Sequence, residues 1–195
     1  AFHGWPAREL TLVGVTGTNG KTTTVGLLRH LLDSPEHPAA SIGTLGVLVG
    51  SDGVAMPGGS GLTTPGPVEL QKLLRELVDR GVRTVTMEVS SHSLDQRRVD
   101  GITFAAAVFT NLTRDHLDYH GTMEQYAAAK ARLFAHPEVA VRVVNADDEF
   151  GLSLLARHPD TIAVSPSGAW RARGDAHAYL RATDVQLGSD GRRKG

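Results

Sequence analysis

Cysteine is absent from the 195 residues, which excludes disulfides, thiolate metal sites and thiol nucleophiles and is compatible with a reducing compartment. No apolar stretch approaches the length of a membrane span. The opening AFHGWPAREL also lacks the basic start and apolar core of a signal peptide, so a cytoplasmic location is expected. Neither sign of charge is in excess, since 20 basic and 21 acidic residues leave a formal charge of -1. Such a chain carries no broad field to attract nucleic acid or an anionic membrane. The nearest thing to a charge run, Arg192, Arg193 and Lys194, reads as a solvated terminal tail. With 41% hydrophobic residues, the chain has the material for one core, and its length favours a single domain.

Strand and helix patterns alternate along the chain. LTLVGV is a short apolar run with β-branched residues, suited to a buried strand. After a glycine loop, Val25, Leu28, Leu31 and Leu32 recur at helical spacing until DSPEHP breaks the pattern. VELQKLLRELVDRG puts Leu70, Leu73, Leu74, Leu77 and Val78 on one helical face and ends on Gly81. Strands are expected at VRTVTMEV, ITFAAAVFTNL, VAVRVVNAD and TIAVS, with helices at MEQYAAAKARLFA and near EFGLSLLARH. This alternation predicts an α/β fold of three layers with a mainly parallel sheet, built on a phosphate-binding loop. VGSDGVAMPGGSGLTTPGP, rich in glycine and proline, reads as a linker or hairpin turn.

Three stretches carry chemistry. In VGVTGTNGKTTT, glycines between a buried strand and a helix let backbone N–H groups converge on phosphate oxygens. Lys21 is placed to reach the β/γ-phosphates and Thr22 to ligate Mg²⁺. The pattern G-x-x-x-x-G-K-[ST] is met except at Val15. In MEVSSHSLDQRRV, Glu88 closes an apolar strand, where an open α/β sheet places its ligand crevice. Taken alone it reads rather as an acidic residue capping the next turn. Ser90, Ser91 and His92 lack the G-x-S-x-G context of a serine hydrolase. TNLTRDHLDYHGTMEQYAAAK packs Asp115, His116, Asp118 and His120 into six residues before a helix bearing Lys130. These could hold metal or simply form a solvated helix start, and a lysine among alanines ordinarily lies on the surface.

In that order, TGTNGKTTT, LTTPGP, MEVSSHSLDQRRV, TNLTRDHLDYHGTMEQYAAAK and VVNADD resemble the central ATP-binding domain of the Mur ligases, over roughly residues 5 to 165. The TGTNGKT form of the loop belongs to that family and accounts for Val15. Within it the likeness is to the tripeptide-synthetase (MurE) type, which adds the third amino acid of the peptidoglycan stem.

The resemblance implies a site. Gly17, Thr18, Asn19, Gly20, Lys21, Thr22 and Thr23 would cradle ATP, with Asn145 on the adenine side. Thr22 and Glu88 would hold one Mg²⁺. His116 and Lys130 would hold a second, Lys130 as a carbamate formed with CO₂, which turns a cation into a hard oxygen ligand. Thr63, Thr64, Ser90, Gln96 and Arg98 would contact the UDP-N-acetylmuramoyl dipeptide, and the glycine-rich segment becomes a substrate loop. The implied reaction is ATP-driven amide formation through an acyl phosphate, with Lys21 and the metals stabilising the transferring phosphoryl group. The incoming amino acid is diaminopimelate, lysine or ornithine. His92, Asp115 and His120 lie in matched motifs without an assigned role.

Whole enzymes of this type have three domains, and the resemblance covers only the middle one. Residues 1–195 are therefore expected to be a central domain incomplete at its C-terminal end, without the domains that grip the uridine nucleotide and the amino acid, and inactive alone. Folylpolyglutamate and cyanophycin synthetases share the phosphate loop and modified lysine, but EVSSHSLDQRRV and RDHLDYHG weigh against them. A GTPase switch would need N-K-x-D, whereas Asn145 is followed by Ala, Asp and Asp. A nucleotide-binding module without turnover is the remaining alternative.

Overall fold

The structure, a computed structural model, describes residues 3–58, 61–136, 138–170, 178–183, 186–187 and 193–194. A 3-10 turn at Pro6–Arg8 leads into β1 (Thr11–Thr16), α1 (Lys21–Leu32), β2 (Ala39–Gly43), β3 (Gly46–Val49), β4 (Val54–Met56), α2 (Pro67–Asp79) and β5 (Thr84–Glu88). There follow α3 (Ser91–Asp95), β6 (Ala106–Phe109), α4 (Leu117–His120), α5 (Met123–Ala135), β7 (Val141–Asn145), α6 (Glu149–Arg157), β8 (Ile162–Ser165) and β9 (Tyr179–Arg181). A separate antiparallel pair joins β10 (Gln186–Leu187) to β11 (Arg193–Lys194). Arg193 and Lys194, expected in a loose tail, thus pair as a short strand, and Arg192 lies outside the described residues.

Nine strands form one sheet in the order β4-β3-β2-β5-β1-β6-β7-β8-β9. Neighbours from β2 to β9 run parallel, as the strand–helix alternation predicts. At one edge β2, β3 and β4 pair antiparallel, so the glycine-rich segment begins as a hairpin turn at residues 51–53 and continues into β4.

Central strands are buried on both faces: Leu12 and Val15 of β1 and Val85 and Met87 of β5 are all fully covered. α2 presents Leu70, Leu73, Leu74 and Leu77 inward, each burial worth roughly 2 kcal/mol. α1 departs from its expected face. Val25 is buried, but Leu31 is 75% and Leu32 42% exposed. The inward position one turn after Val25 goes to Arg29, whose Nη1 donates to the carbonyls of Gly50 and, at 3.0 Å, Ser51. A cation with carbonyl partners, rather than leucine, fastens α1 to the β3–β4 turn.

The register then fixes where the motifs meet. Val15 pairs with Glu88, Thr16 with Phe109, and Phe109 with Val144. Four loops, after β5, β1, β6 and β7, therefore leave the C-terminal edge of four adjacent parallel strands, the position at which open α/β sheets bind ligands.

Candidate active site

The loop after β1 passes so close to the end of β6 that a Cβ at Gly17 would lie 2.0 Å from Thr110 Oγ1, which only glycine tolerates. Gly20, at φ 84, turns the chain into α1 with no side-chain cap on the helix start. The first-turn amides of α1 therefore stay open to an anion. Thr18 and Asn19 face the protein instead. The Thr18 N–H donates to Asn111 O at 2.8 Å and the Asn19 N–H to Asn111 Oδ1 at 3.0 Å. Thr18 Oγ1 accepts from the Thr113 N–H at 2.9 Å and lies 3.1 Å from the Tyr126 hydroxyl. Within the expected cradle 17–23, the amides of Thr18 and Asn19 are thus engaged by the protein itself.

Two lysines converge on one carbonyl. Lys21 Nζ donates to Gly17 O and Thr18 O, both at 2.9 Å, and Lys130 Nζ donates to the same Gly17 O at 2.9 Å. Lys130 is 1% exposed and its ammonium sits 4.4 Å over the Tyr126 ring, so the surface position suggested by its alanine neighbours is not where it lies. α5 packs inward along Tyr126, Ala129, Lys130 and Leu133, and the lysine is on that face. Burial above all, then repulsion from Lys21, lowers its pKa to about 7, with Asp115 opposing. Burial also lowers the pKa of Lys21, against the attraction of Glu88 and Asp115.

Glu88 is 1% exposed at the end of β5. Its Oε1 accepts from the Thr44 N–H at 2.9 Å and its Oε2 from Thr44 Oγ1 at 3.2 Å. A Cβ on Gly43 would stand 2.2 Å from Oε1, so glycine there makes room for the carboxylate. Glu88 and the half-buried Thr22 supply hard oxygens suited to Mg²⁺. Among the described residues no three His, Cys, Asp or Glu are grouped to hold a metal. His116 is exposed, in the left-handed region at φ 52, with Nε2 3.6 Å from Asp115 Oδ2. Its ring is 5.0 Å from that of His92 and 6.0 Å from that of Tyr126. Lys130 as an amine offers no oxygen.

The expected substrate residues come together beside Glu88. Thr64 Oγ1 donates to Glu88 O at 2.9 Å and accepts from the Ser90 N–H at 3.1 Å, which occupies its hydroxyl. Thr63 Oγ1 is 3.3 Å from Thr44 Oγ1. Ser90 caps α3 by accepting from the Ser93 N–H. Arg98 donates from Nη1 to Thr64 O at 3.0 Å and from Nε to Gln96 Oε1 at 2.8 Å, and Gln96 Nε2 donates to the Tyr119 hydroxyl at 3.2 Å. Asn145 Nδ2 donates to Thr110 O at 2.8 Å and its Oδ1 accepts from the Asp147 N–H at 3.0 Å, so it braces the end of β6.

His92 packs on Tyr119 at 4.2 Å and lies 5.4 Å from His120. The serine–histidine pair that does form is buried, His120 Nε2 to Ser91 Oγ at 2.9 Å. Burial lowers the pKa of both His92 and His120, with neighbouring cations adding to it. Thr44, outside every motif, and Asn111, Tyr126, Ser91 and His120, inside motifs but without an assigned role, all carry structural weight. Of these, Tyr126 alone had a readable signal, one helical turn before Lys130.

The model of the Mur ligase middle domain matches residues 15–193. A UDP-N-acetylmuramoyl-L-alanyl-D-glutamate–2,6-diaminopimelate ligase from Xanthomonas campestris pv. campestris (strain 8004) is 50% identical over 191 residues, which are 97% of this chain and 37% of that protein. A solved diaminopimelate ligase of the same name is 34% identical with a TM-score of 0.75, covering 93% of this chain and 36% of its own. A Mycobacterium tuberculosis folylpolyglutamate synthase complexed with ADP and AMPPCP shares the fold alone, at 16% identity and a TM-score of 0.62 over 84% of this chain and 45% of that one. The chain thus spans little more than a third of the length of the diaminopimelate ligases it resembles, and it belongs to the Mur ligase middle domain family.

Proposed function

We propose that the protein containing this domain joins one of the two free glutamate carboxylates of UDP-N-acetylmuramoyl-L-alanyl-D-glutamate to an amine of diaminopimelate, driven by ATP. The observation that carries the reading is the pair Lys21 and Lys130 on Gly17 O at the end of β1. A phosphate loop requires the first. The second is buried, with its pKa lowered to about 7, so that at pH 7 a large share of it is the neutral amine that reacts with CO₂. The naming of the 50% identical relative supports the choice of substrates, and so does the gathering of Thr63, Thr64, Ser90, Gln96 and Arg98 beside Glu88.

The amides of residues 20–23 and the Lys21 ammonium hold the β- and γ-phosphates of ATP. Thr22 and Glu88 would hold Mg²⁺, which would neutralise phosphate charge when bound. The neutral Lys130 amine adds to CO₂: an N–C bond forms, a proton leaves to water, and a carbamate replaces the cation. The carbamate would attract Lys21 instead of repelling it, and Lys130 so modified and His116 would be the residues to hold a second Mg²⁺. Ser90, Gln96, Arg98 and Thr63 orient the dipeptide so that its carboxylate oxygen meets the γ-phosphorus in line. That P–O bond forms as the bond to the β–γ bridging oxygen breaks, and ADP leaves with the electron pair. The amine nitrogen then attacks the acyl carbon, phosphate departs, and the nitrogen loses a proton to solvent. Lys21 stabilises the charge that builds on the transferring group. Asn145 shapes the adenine side through its brace on Thr110.

Residues 1–195 act in this reading as the central domain, and the rest of the protein grips the uridine nucleotide and the amino acid. The cytoplasm, which holds ATP and nucleotide sugars, is the compartment we assign. In the test, the complete protein is incubated with Mg²⁺-ATP, the UDP-muramoyl dipeptide and, separately, diaminopimelate, lysine or ornithine. The expected result is one ADP and one phosphate per amide formed, with diaminopimelate the preferred amine. ATP binding without amide product from any of the three would sink the proposal.

A further inference from the structure

We infer that Asn111 is a positioning residue for the nucleotide: its carboxamide grips the backbone of Asn19 from both sides and so decides which amides of the phosphate loop stay open. The inference rests on the ATP-binding reading and extends it to a residue outside the loop. Asn111 Oδ1 accepts from the Asn19 N–H at 3.0 Å, and Nδ2 donates to Asn19 O at 3.1 Å. The Asn111 carbonyl accepts from the Thr18 N–H at 2.8 Å, and Thr110 Oγ1 adds a 2.6 Å bond to Asn19 O. Two loop residues are thus held much as a neighbouring strand would hold them. They need to be, because Gly17 at φ 149 and Gly20 at φ 84 permit the loop its shape without imposing it.

Asn111 is itself fixed from behind. The Leu112 N–H donates to Asp148 Oδ2 at 2.8 Å, and Asn145 Nδ2 donates to Thr110 O at 2.8 Å. The clamp therefore stands on β7 and the start of α6 as well as on β6. The same segment runs on through Thr113, which bonds Thr18 Oγ1, to Asp115 and His116, so one loop fixes the phosphate side and carries the histidine.

The chemistry selects asparagine. Alanine loses the acceptor and the donor together. Aspartate keeps the acceptor for the Asn19 N–H, but it loses the donor and sets a negative charge beside the phosphates.

The test measures dissociation constants for ATP and ADP, and steady-state kinetics, on the complete protein and its Asn111→Ala, Asn111→Asp and Lys21→Ala variants, with circular dichroism and melting in the absence of nucleotide. Asn111→Ala is expected to weaken ATP and ADP by the same factor, roughly tenfold. Its KM for ATP should rise in parallel while kcat at saturating ATP changes by less than about threefold. Asn111→Asp should weaken both nucleotides by a further factor of roughly ten. If Asn111→Ala fails to fold, the near-isosteric aspartate variant decides the question. Wild-type affinity in a folded Asn111 variant, with Lys21→Ala defective, would overturn the inference while the ATP-binding reading stands. Failure of the wild-type protein to bind either nucleotide would remove that reading and the inference with it.

Discussion

The nucleotide half of the crevice and its histidine half are held by different kinds of contact. Around the phosphate loop, directional bonds between side chains and backbone, made by Asn111, Thr113, Lys21 and Lys130, hold the chain in place, and Thr18 and Lys130 are buried. Around His116, rings meet rings: His92, His116 and Tyr119 stack or tilt at 4.2–5.0 Å, and His116 and Tyr119 are exposed. Hydrogen bonds specify a geometry to tenths of an ångström, whereas ring contacts at the surface permit several. The nucleotide side is therefore the more tightly specified of the two, and on the proposed function the histidine side would take its final form from metal and substrate. Substitutions should separate the two halves.

The largest effect is expected at the centre of the nucleotide half. Lys21→Ala should reduce ATP turnover by about a hundredfold or more, since a charge aimed at the transferring phosphoryl group is removed. Circular dichroism should be unchanged, because Lys21 bonds only to loop carbonyls. Turnover within a few-fold of wild type would break the assignment of the loop.

Lys130 links the halves, and its substitution should divide activity from stability. Lys130→Ala in the complete protein is expected to lose ligase activity and to regain part of it with formate or acetate, which return carboxylate oxygens to the gap. Full activity without them would show that no carbamate is needed. Lys130→Met, measured without CO₂, should raise stability by about 1–3 kcal/mol, because an apolar chain replaces a buried amine.

The pH dependence follows from the same residue. Its pKa is about 7 in the fold against 10.5 for an ordinary lysine, so between these values the unfolded chain holds a proton that the folded chain lacks. Stability then rises with pH across that window and is lost as pH falls toward 7. Urea titrations of the CO₂-free protein should show this slope, and Lys130→Met should flatten it. Activity should fall as pH drops through 7, because protonated Lys130 does not react with CO₂.

The smallest effects belong to the histidine half. Tyr119→Phe removes the hydroxyl that joins Gln96 to Asp95 and should raise KM for the dipeptide by about threefold while leaving nucleotide affinity within about twofold. A loss of ATP affinity larger than that of dipeptide affinity would show that the two halves are not separable.

The sequence made the phosphate loop legible because its glycines and Lys21 must sit at fixed spacing on one short segment. The parallel strands were legible because burial on both faces demands continuous apolar runs such as LTLVGV. β2 was not, since Ala39–Gly43 is AASIG, mostly small residues after a proline, buried by packing against α1, β3 and β5 rather than marked by an apolar run. Arg29 and the exposed Leu31 and Leu32 show the same limit: helical spacing identifies a face but not whether the partner surface is apolar or a row of carbonyls. Local context likewise placed Lys130 on the surface, and only the resemblance to Mur ligases gave it a role. The clamp from Asn111 to Asn19 was invisible because it joins residues 92 apart through one carboxamide.

The central claim is that this crevice activates a carboxylate by phosphoryl transfer. The direct measurement is isotopic: the complete protein is supplied with Mg²⁺-ATP, diaminopimelate and the UDP-muramoyl dipeptide labelled with heavy oxygen in both free carboxylates of its glutamate, and the released phosphate is examined by mass spectrometry. One labelled oxygen in that phosphate is the predicted result, because the attacking carboxylate oxygen leaves with the phosphoryl group. Unlabelled phosphate formed alongside amide product would contradict the account.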